Sequence, residues 1–148
     1  MVERFNRFSY AIFEISRCWH RLAAEEMEKH DLKGPHAMYL LAMQQHPEGV
    51  TAAQLCELCG RDKADVSRAV ALMEKKDLVK KTGENPYRAR LVLTRQGNEA
   101  ADHVCHKATV AVEAAGRDIS SQDRETFYQC LSSITGNLQA LCKQGLPE

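Results

Sequence analysis

The sequence predicts a mainly α-helical fold with one small β-hairpin, an α+β arrangement in which a winged helix-turn-helix is carried between long terminal helices. Three observations point there. Helical period gives way to strand pattern within one stretch, Asp62 to Thr94. Two short helical patterns meet across Gly60, the spacing of a helix-turn-helix. Both ends of the chain carry apolar residues at heptad-like spacing.

Residues 3 to 29 read as one helix. Phe5, Phe8, Ile12, Ile15, Trp19 and Leu22 step by three, four, three, four and three, a seam narrower than the apolar face of an ordinary surface helix. Gly34-Pro35 breaks the chain, and the fixed φ of Pro35 suits the first position of the next helix. That helix, His36 to Gln45, offers Ala37, Leu40, Leu41 and Met43 to a core and ends at His46-Pro47-Glu48-Gly49. Thr51 followed by Gln54 is a capping-box pattern, in which each side chain satisfies the other's backbone N–H. The helix it starts carries Leu55 and Leu58 and stops at Gly60, a natural C′ residue.

Asp62 is placed to cap the following helix, and Asp65 adds negative charge to its first turn. Val66, Val70 and Met73, widened by Ala69 and Leu72, form its apolar stripe. Two strand-like segments follow, Leu78 to Lys81 and Arg90 to Leu93, separated by the turn formers Thr82-Gly83-Glu84-Asn85-Pro86. Thr94 can cap an alanine-rich helix that runs to about Ala115 and ends at Gly116. Ser120 with Asp123 starts the last helix, whose Phe127, Leu131, Ile134, Leu138 and Leu141 make a second heptad seam.

The chain of 148 residues has one domain's length, and 44% hydrophobic with 27% charged residues fits a globular protein. No apolar run approaches the ~18 residues of a membrane span, and charges interrupt the N-terminus where a signal peptide would need an apolar core. A cytoplasmic protein with no membrane association is the expectation. Net charge is zero, but it is unevenly spread. From Arg61 to Arg95 there are ten Lys/Arg against five Asp/Glu, so this segment is net +5 and the remainder net −5. A basic middle between acidic ends is the footprint of a polyanion-binding region. Six cysteines lie inside helical patterns, and most are expected to be buried small hydrophobes rather than a disulfide framework.

A helix of 27 residues is roughly 40 Å long at 1.5 Å per residue, more than a core of this size covers. The sequence therefore predicts a homodimer, in which Phe5, Phe8, Ile12 and Ile15 from one end and Phe127, Leu131, Ile134, Leu138 and Leu141 from the other pack against a second copy. The organisation expected is one domain over 1–148, with 1–30 and 97–148 as dimerisation helices and 36–95 as the winged helix-turn-helix.

The words TAAQLCELCGRDKADVSRAVALMEKKDLV and RARLVLTRQG, within this order of helices, resemble the MarR (multiple antibiotic resistance regulator) family of bacterial transcription factors. The resemblance covers nearly all of the chain and is most specific from Thr51 to Gly97. It implies a homodimeric winged-helix protein on a pseudo-palindromic operator, usually a repressor, often released by a small ligand or by cysteine oxidation. It also implies an effector pocket between the dimer helices and the winged region, for which Trp19, His20, Tyr39 and Met43 are the candidates. One segment departs from the family. Its wing commonly has an acidic residue followed by two basic ones, whereas this chain reads NPYRARLVLT.

On double-stranded DNA the start of the recognition helix meets base edges, which here means Lys63, Ala64, Asp65, Ser67 and Arg68. Arg68 can fork onto guanine O6 and N7. Arg61, Lys80 and Lys81 are placed for phosphates, and Arg88, with Arg90 as the alternative, for the minor groove. Two other readings compete. One is a winged-helix protein-interaction module that binds no DNA. The other is a redox or metal sensor using the Cys56-Glu57-Leu58-Cys59 pair, for which packing is the simpler account, since no second C-x-x-C or matched histidine pair follows. His103 and His106 share a helix face, with no carboxylate partner identifiable from sequence. No Gly-rich phosphate loop, nucleophile elbow or zinc-protease motif is present, so no enzyme, cofactor or metal is expected.

Overall fold

The computed structural model describes residues 2–83 and 89–146. Its elements in chain order are α1 (Val2–Glu28), α2 (His36–Gln44), α3 (Ala52–Cys59), α4 (Lys63–Lys75), β1 (Val79–Thr82), β2 (Arg90–Leu93), α5 (Arg95–Ala115) and α6 (Ser121–Gln144). The chain forms two compact units, Met1–Lys107 and Ala108–Glu148.

In the first unit the core gathers around α2. Met27, Tyr39, Leu40, Met43, Leu55, Val66, Val70, Met73, Leu78, Leu91, Ala101 and Val104 are all buried together. The α4 stripe is buried as its period requires, with Val66, Ala69, Val70 and Met73 inside and Leu72 packed at the edge. The same hydrogen-bond pattern closes three helices. A residue with left-handed φ follows the helix, and the next N–H reaches back to a carbonyl in the last turn. At α1 Asp31 has φ 51° and Leu32 N–H donates to Met27 O at 2.9 Å. At α3 Gly60 has φ 59° and Arg61 N–H donates to Cys56 O at 3.0 Å. At α4 Asp77 has φ 56° and Leu78 N–H donates to Met73 O at 2.9 Å.

That last closure explains a one-residue shift from the expected strand. Leu78 belongs to the helix stop, so β1 runs from Val79 to Thr82 and pairs antiparallel with β2, Val79 opposite Leu93 and Thr82 opposite Arg90. A short bridge joins Val50 to Leu91 on the other side of β2, with N···O distances of 3.0 and 2.7 Å. Thr94 binds the root of the hairpin. Its N–H donates to Leu78 O at 3.0 Å, and its hydroxyl donates to Asp77 O at 2.6 Å while accepting from Gly97 N–H at 3.0 Å. At Gly97 a Cβ would overlap the Leu78 carbonyl, so only glycine allows this approach.

In the second unit Ser120 caps α6, accepting from Asp123 N–H at 3.1 Å. Arg124 ties the corner, with Nη1 on Glu113 Oε2 at 2.8 Å and Nη2 donating to Gly116 O at 2.8 Å. α6 buries no residue of its own.

One expectation needs correction. Most cysteines are not buried: Cys18, Cys105, Cys130 and Cys142 are exposed, and Cys56 and Cys59 are half-buried against the core. The first four sit on α1, α5 and α6, helices whose described residues bury little, so helical periodicity alone overstated their burial. Leu58 is half-exposed while Leu55 on the same helix is sealed in, because an eight-residue helix turns only one narrow stripe to the core.

Candidate nucleic-acid interface

The helix-turn-helix is α3, the turn Gly60-Arg61-Asp62, and α4. Both caps form as the residue types dictate. Thr51 Oγ1 accepts from Gln54 N–H at 3.2 Å while Gln54 Oε1 accepts from Thr51 N–H at 2.9 Å, and Asp62 Oδ1 accepts from Asp65 N–H at 2.8 Å. With one face of α4 locked in the core, Lys63, Ala64, Ser67 and Arg68 are exposed on the other. Arg61 is exposed just before the helix, and Lys80 and Lys81 are exposed on β1. One helix start and one strand thus present five basic side chains around a short polar helix face.

A sequence model of the MarR family matches residues 30–91, the segment from the end of α1 through both helices of the motif into β2. The fold of the chain is that of solved MarR regulators. One from Methanosarcina mazei Go1 superposes with a TM-score of 0.81 at 17% identity, covering 92% of this chain and 99% of that one. A MarR-family regulator from Listeria monocytogenes, solved in complex with a 26-mer DNA, gives 0.79 at 18% identity over 94% of this chain and 95% of that one. MepR, a regulator of the Staphylococcus aureus multidrug efflux pump MepA, gives 0.65 at 21% over 88% and 98%. At these identities the likeness is one of fold. No curated protein matches the sequence.

The basic side chains around α4 and the hairpin differ in their freedom. Lys81 Nζ lies 2.8 Å from Glu74 Oε2, so its charge is already paired. Arg90 Nη1 donates to Gly49 O at 2.8 Å, which ties it to the loop before α3. Arg88 lies outside the described residues. Among the described residues Asp65 is the one predicted contact that turns partly inward. Its Oδ2 accepts from the Tyr39 hydroxyl at 2.9 Å, and its two oxygens lie 3.9 Å from Arg61 Nε and 3.7 Å from Arg68 Nη2. Burial first, and then the hydrogen bond to Asp65, pushes the Tyr39 hydroxyl up to about 12, so it stays a neutral donor. The sequence offered no signal for this link across 26 residues. The bridge from Val50 to Leu91 was likewise unannounced, although Gly49 just before it (φ 89°) marks an unusual backbone.

The four effector-pocket candidates fall in two environments. Trp19 and His20 are exposed on α1, whereas Tyr39 and Met43 are buried on α2. None of them lines the cavity of about 360 Å³ that opens beside Gly49 and Leu58. Cys56 and Cys59 pack against the core, Cys59 Sγ lying 3.8 Å from Met38 O. Burial raises the Cys59 thiol, as does the neighbouring Cys56, which works against a reactive thiolate. His103 does have a carboxylate partner, Glu26, at 2.9 Å. Among the described residues no group of three His, Cys, Asp or Glu could hold a metal ion, and no helix is long and apolar enough to cross a membrane.

Proposed function

We propose that this chain is a sequence-specific DNA-binding transcriptional regulator that acts in the cytoplasm, as a homodimer, on a pseudo-palindromic operator. The observation that carries the reading is the exposed polar start of α4, with Lys63, Ser67 and Arg68 facing solvent while Val66, Val70 and Met73 anchor the opposite face. Such a helix can enter a major groove without disturbing its own packing. The basic residues on β1 support phosphate contacts beside it. They also disfavour the protein-interaction module, which has no use for a concentrated positive face.

Support for the dimer comes from the terminal helices. Phe5, Phe8, Ile12 and Ile15 on α1, and Phe127, Ile134 and Leu138 on α6, are exposed in the single chain, while Leu131 and Leu141 are half-buried. Apolar residues repeated along helices of 27 and 24 residues are the mark of a surface that a second copy covers. By resemblance the regulator is a repressor. Release by a small ligand fits better than thiol oxidation at Cys56 and Cys59, given the direction of the Cys59 shift.

Gel shifts on the promoter beside its own gene, at several salt concentrations, test the reading. Affinity should fall steeply with salt, and footprinting should give a two-fold symmetric site with half-sites about 34 Å apart. Salt-independent binding, or a single unrepeated half-site, would refute it.

A further inference from the structure

Asp65 stands where a DNA-binding helix has least use for a negative charge. It lies in the first turn of α4, between Lys63 and Arg68, on the side that meets a polyphosphate. A carboxylate there weakens association with any DNA. The bland account is that it stabilises the helix N-terminus, an effect of ~0.3–1 kcal/mol that Asp62 already supplies in part. Four contacts argue for more. The Tyr39 hydroxyl, on a side chain 1% exposed, donates to Asp65 Oδ2 at 2.9 Å, so the core holds one carboxylate oxygen in place. Arg68 Nη2 lies 3.7 Å from Oδ1 and Arg61 Nε lies 3.9 Å from Oδ2. The Asp65 N–H is itself held by Asp62 at 2.8 Å. The carboxylate is therefore fixed from below and flanked above by two guanidinium groups.

We propose that Asp65 is a positioning and specificity-determining residue. Held by Tyr39, it restrains Arg68 and Arg61 before DNA arrives, and its charge weakens the binding of non-cognate sequence. An arginine kept near the helix start by a carboxylate 3.7 Å away has less side-chain entropy to lose when it meets guanine. On non-cognate DNA no base edge replaces the carboxylate, and the repulsion between carboxylate and phosphates stands uncompensated. Asp65 touches no base in this scheme and acts through Arg68. The inference rests on the DNA-binding reading above.

Two variants separate the roles of charge and position. Asp65→Asn keeps the shape and an oxygen that can accept from Tyr39, but removes the charge. Tyr39→Phe keeps the ring and the Asp65 charge, but frees the carboxylate. The probes are a duplex that the wild-type chain selects from a random pool and a scrambled duplex of the same composition, each titrated from 50 to 300 mM salt, roughly the range over which phosphate contacts dominate. For Asp65→Asn, the scrambled duplex should bind several-fold more tightly, with a steeper salt dependence. Its preference for the selected duplex should fall about tenfold. For Tyr39→Phe, preference should fall with the salt dependence unchanged. A carboxylate that only stabilised the helix would alter melting and leave both binding readouts at wild-type values. If both variants fold and hold the wild-type preference within about twofold, the assignment is overturned while DNA binding stands. If the wild-type chain itself binds neither duplex, the DNA-binding reading falls and takes this one with it.

Discussion

Replacing Arg68 by alanine separates recognition from stability, because in the free protein that side chain makes only an exposed ion pair with Asp65. Its side chain is 72% exposed, and its ion-pair partner Asp65 lies 3.7 Å away one turn earlier. An exposed pair at this spacing contributes ~0.2–0.5 kcal/mol. Alanine is a better helix former by a few tenths of a kcal/mol, so the two effects nearly cancel and melting should shift by less than ~0.5 kcal/mol. On DNA the balance is different. A forked arginine–guanine contact discriminates by ~1–3 kcal/mol, which is about 5- to 150-fold at ~1.4 kcal/mol per tenfold. Fluorescence anisotropy on selected and scrambled duplexes, with a thermal melt of the same preparation, measures both. The expected result is lost preference with unchanged melting. Unchanged preference, or a loss of binding matched by a loss of stability, would refute the assignment of Arg68 as a base reader.

Two further predictions concern the scaffold. Met73 is fully buried on the inner face of α4, so Met73→Ala should destabilise by ~2–5 kcal/mol in denaturant titration; a loss below ~1 kcal/mol would mean that α4 is not anchored there. His36 is buried, and burial holds its imidazole below the ordinary histidine range, an effect partly opposed by the charge of Asp65. Its Nδ1 accepts from Lys33 N–H at 3.1 Å, a bond that protonation would break. Because the folded value is depressed, this contribution is complete above the unfolded value of about 6.5 and is lost as pH falls through the folded value. Melts between pH 7.5 and 4.5 should show an acid limb that is flatter in His36→Gln; equal limbs would count against it.

Much of this fold was legible because short-range chemistry decides it. Thr51 with Gln54, Asp62 with Asp65, and Ser120 with Asp123 each cap the helix the sequence suggested. The Val66–Val70–Met73 stripe is buried as its spacing required. The features that escaped depend on contacts between distant segments. Leu78 looked like the first residue of a strand, but it closes α4. Asp65 looked like a surface charge, and its tie to Tyr39 exists only once α2 passes beneath α4. The cysteines show the opposite failure. Their periodic positions suggested a core, but in the single chain the same period runs along exposed helix faces.

The junction of Asp77, Leu78, Thr94 and Gly97 has a mechanical consequence. With Thr94 bonded to both residues of the α4 stop, and no room for even a methyl group between Gly97 and the Leu78 carbonyl, the root of the hairpin is clamped like a beam set in a wall. These contacts couple the first turn of α5 to the end of α4 and to the hairpin root. The hairpin cannot flap independently of the helix beside it. The direction of the hairpin at its root is thereby tied to α4 and α5.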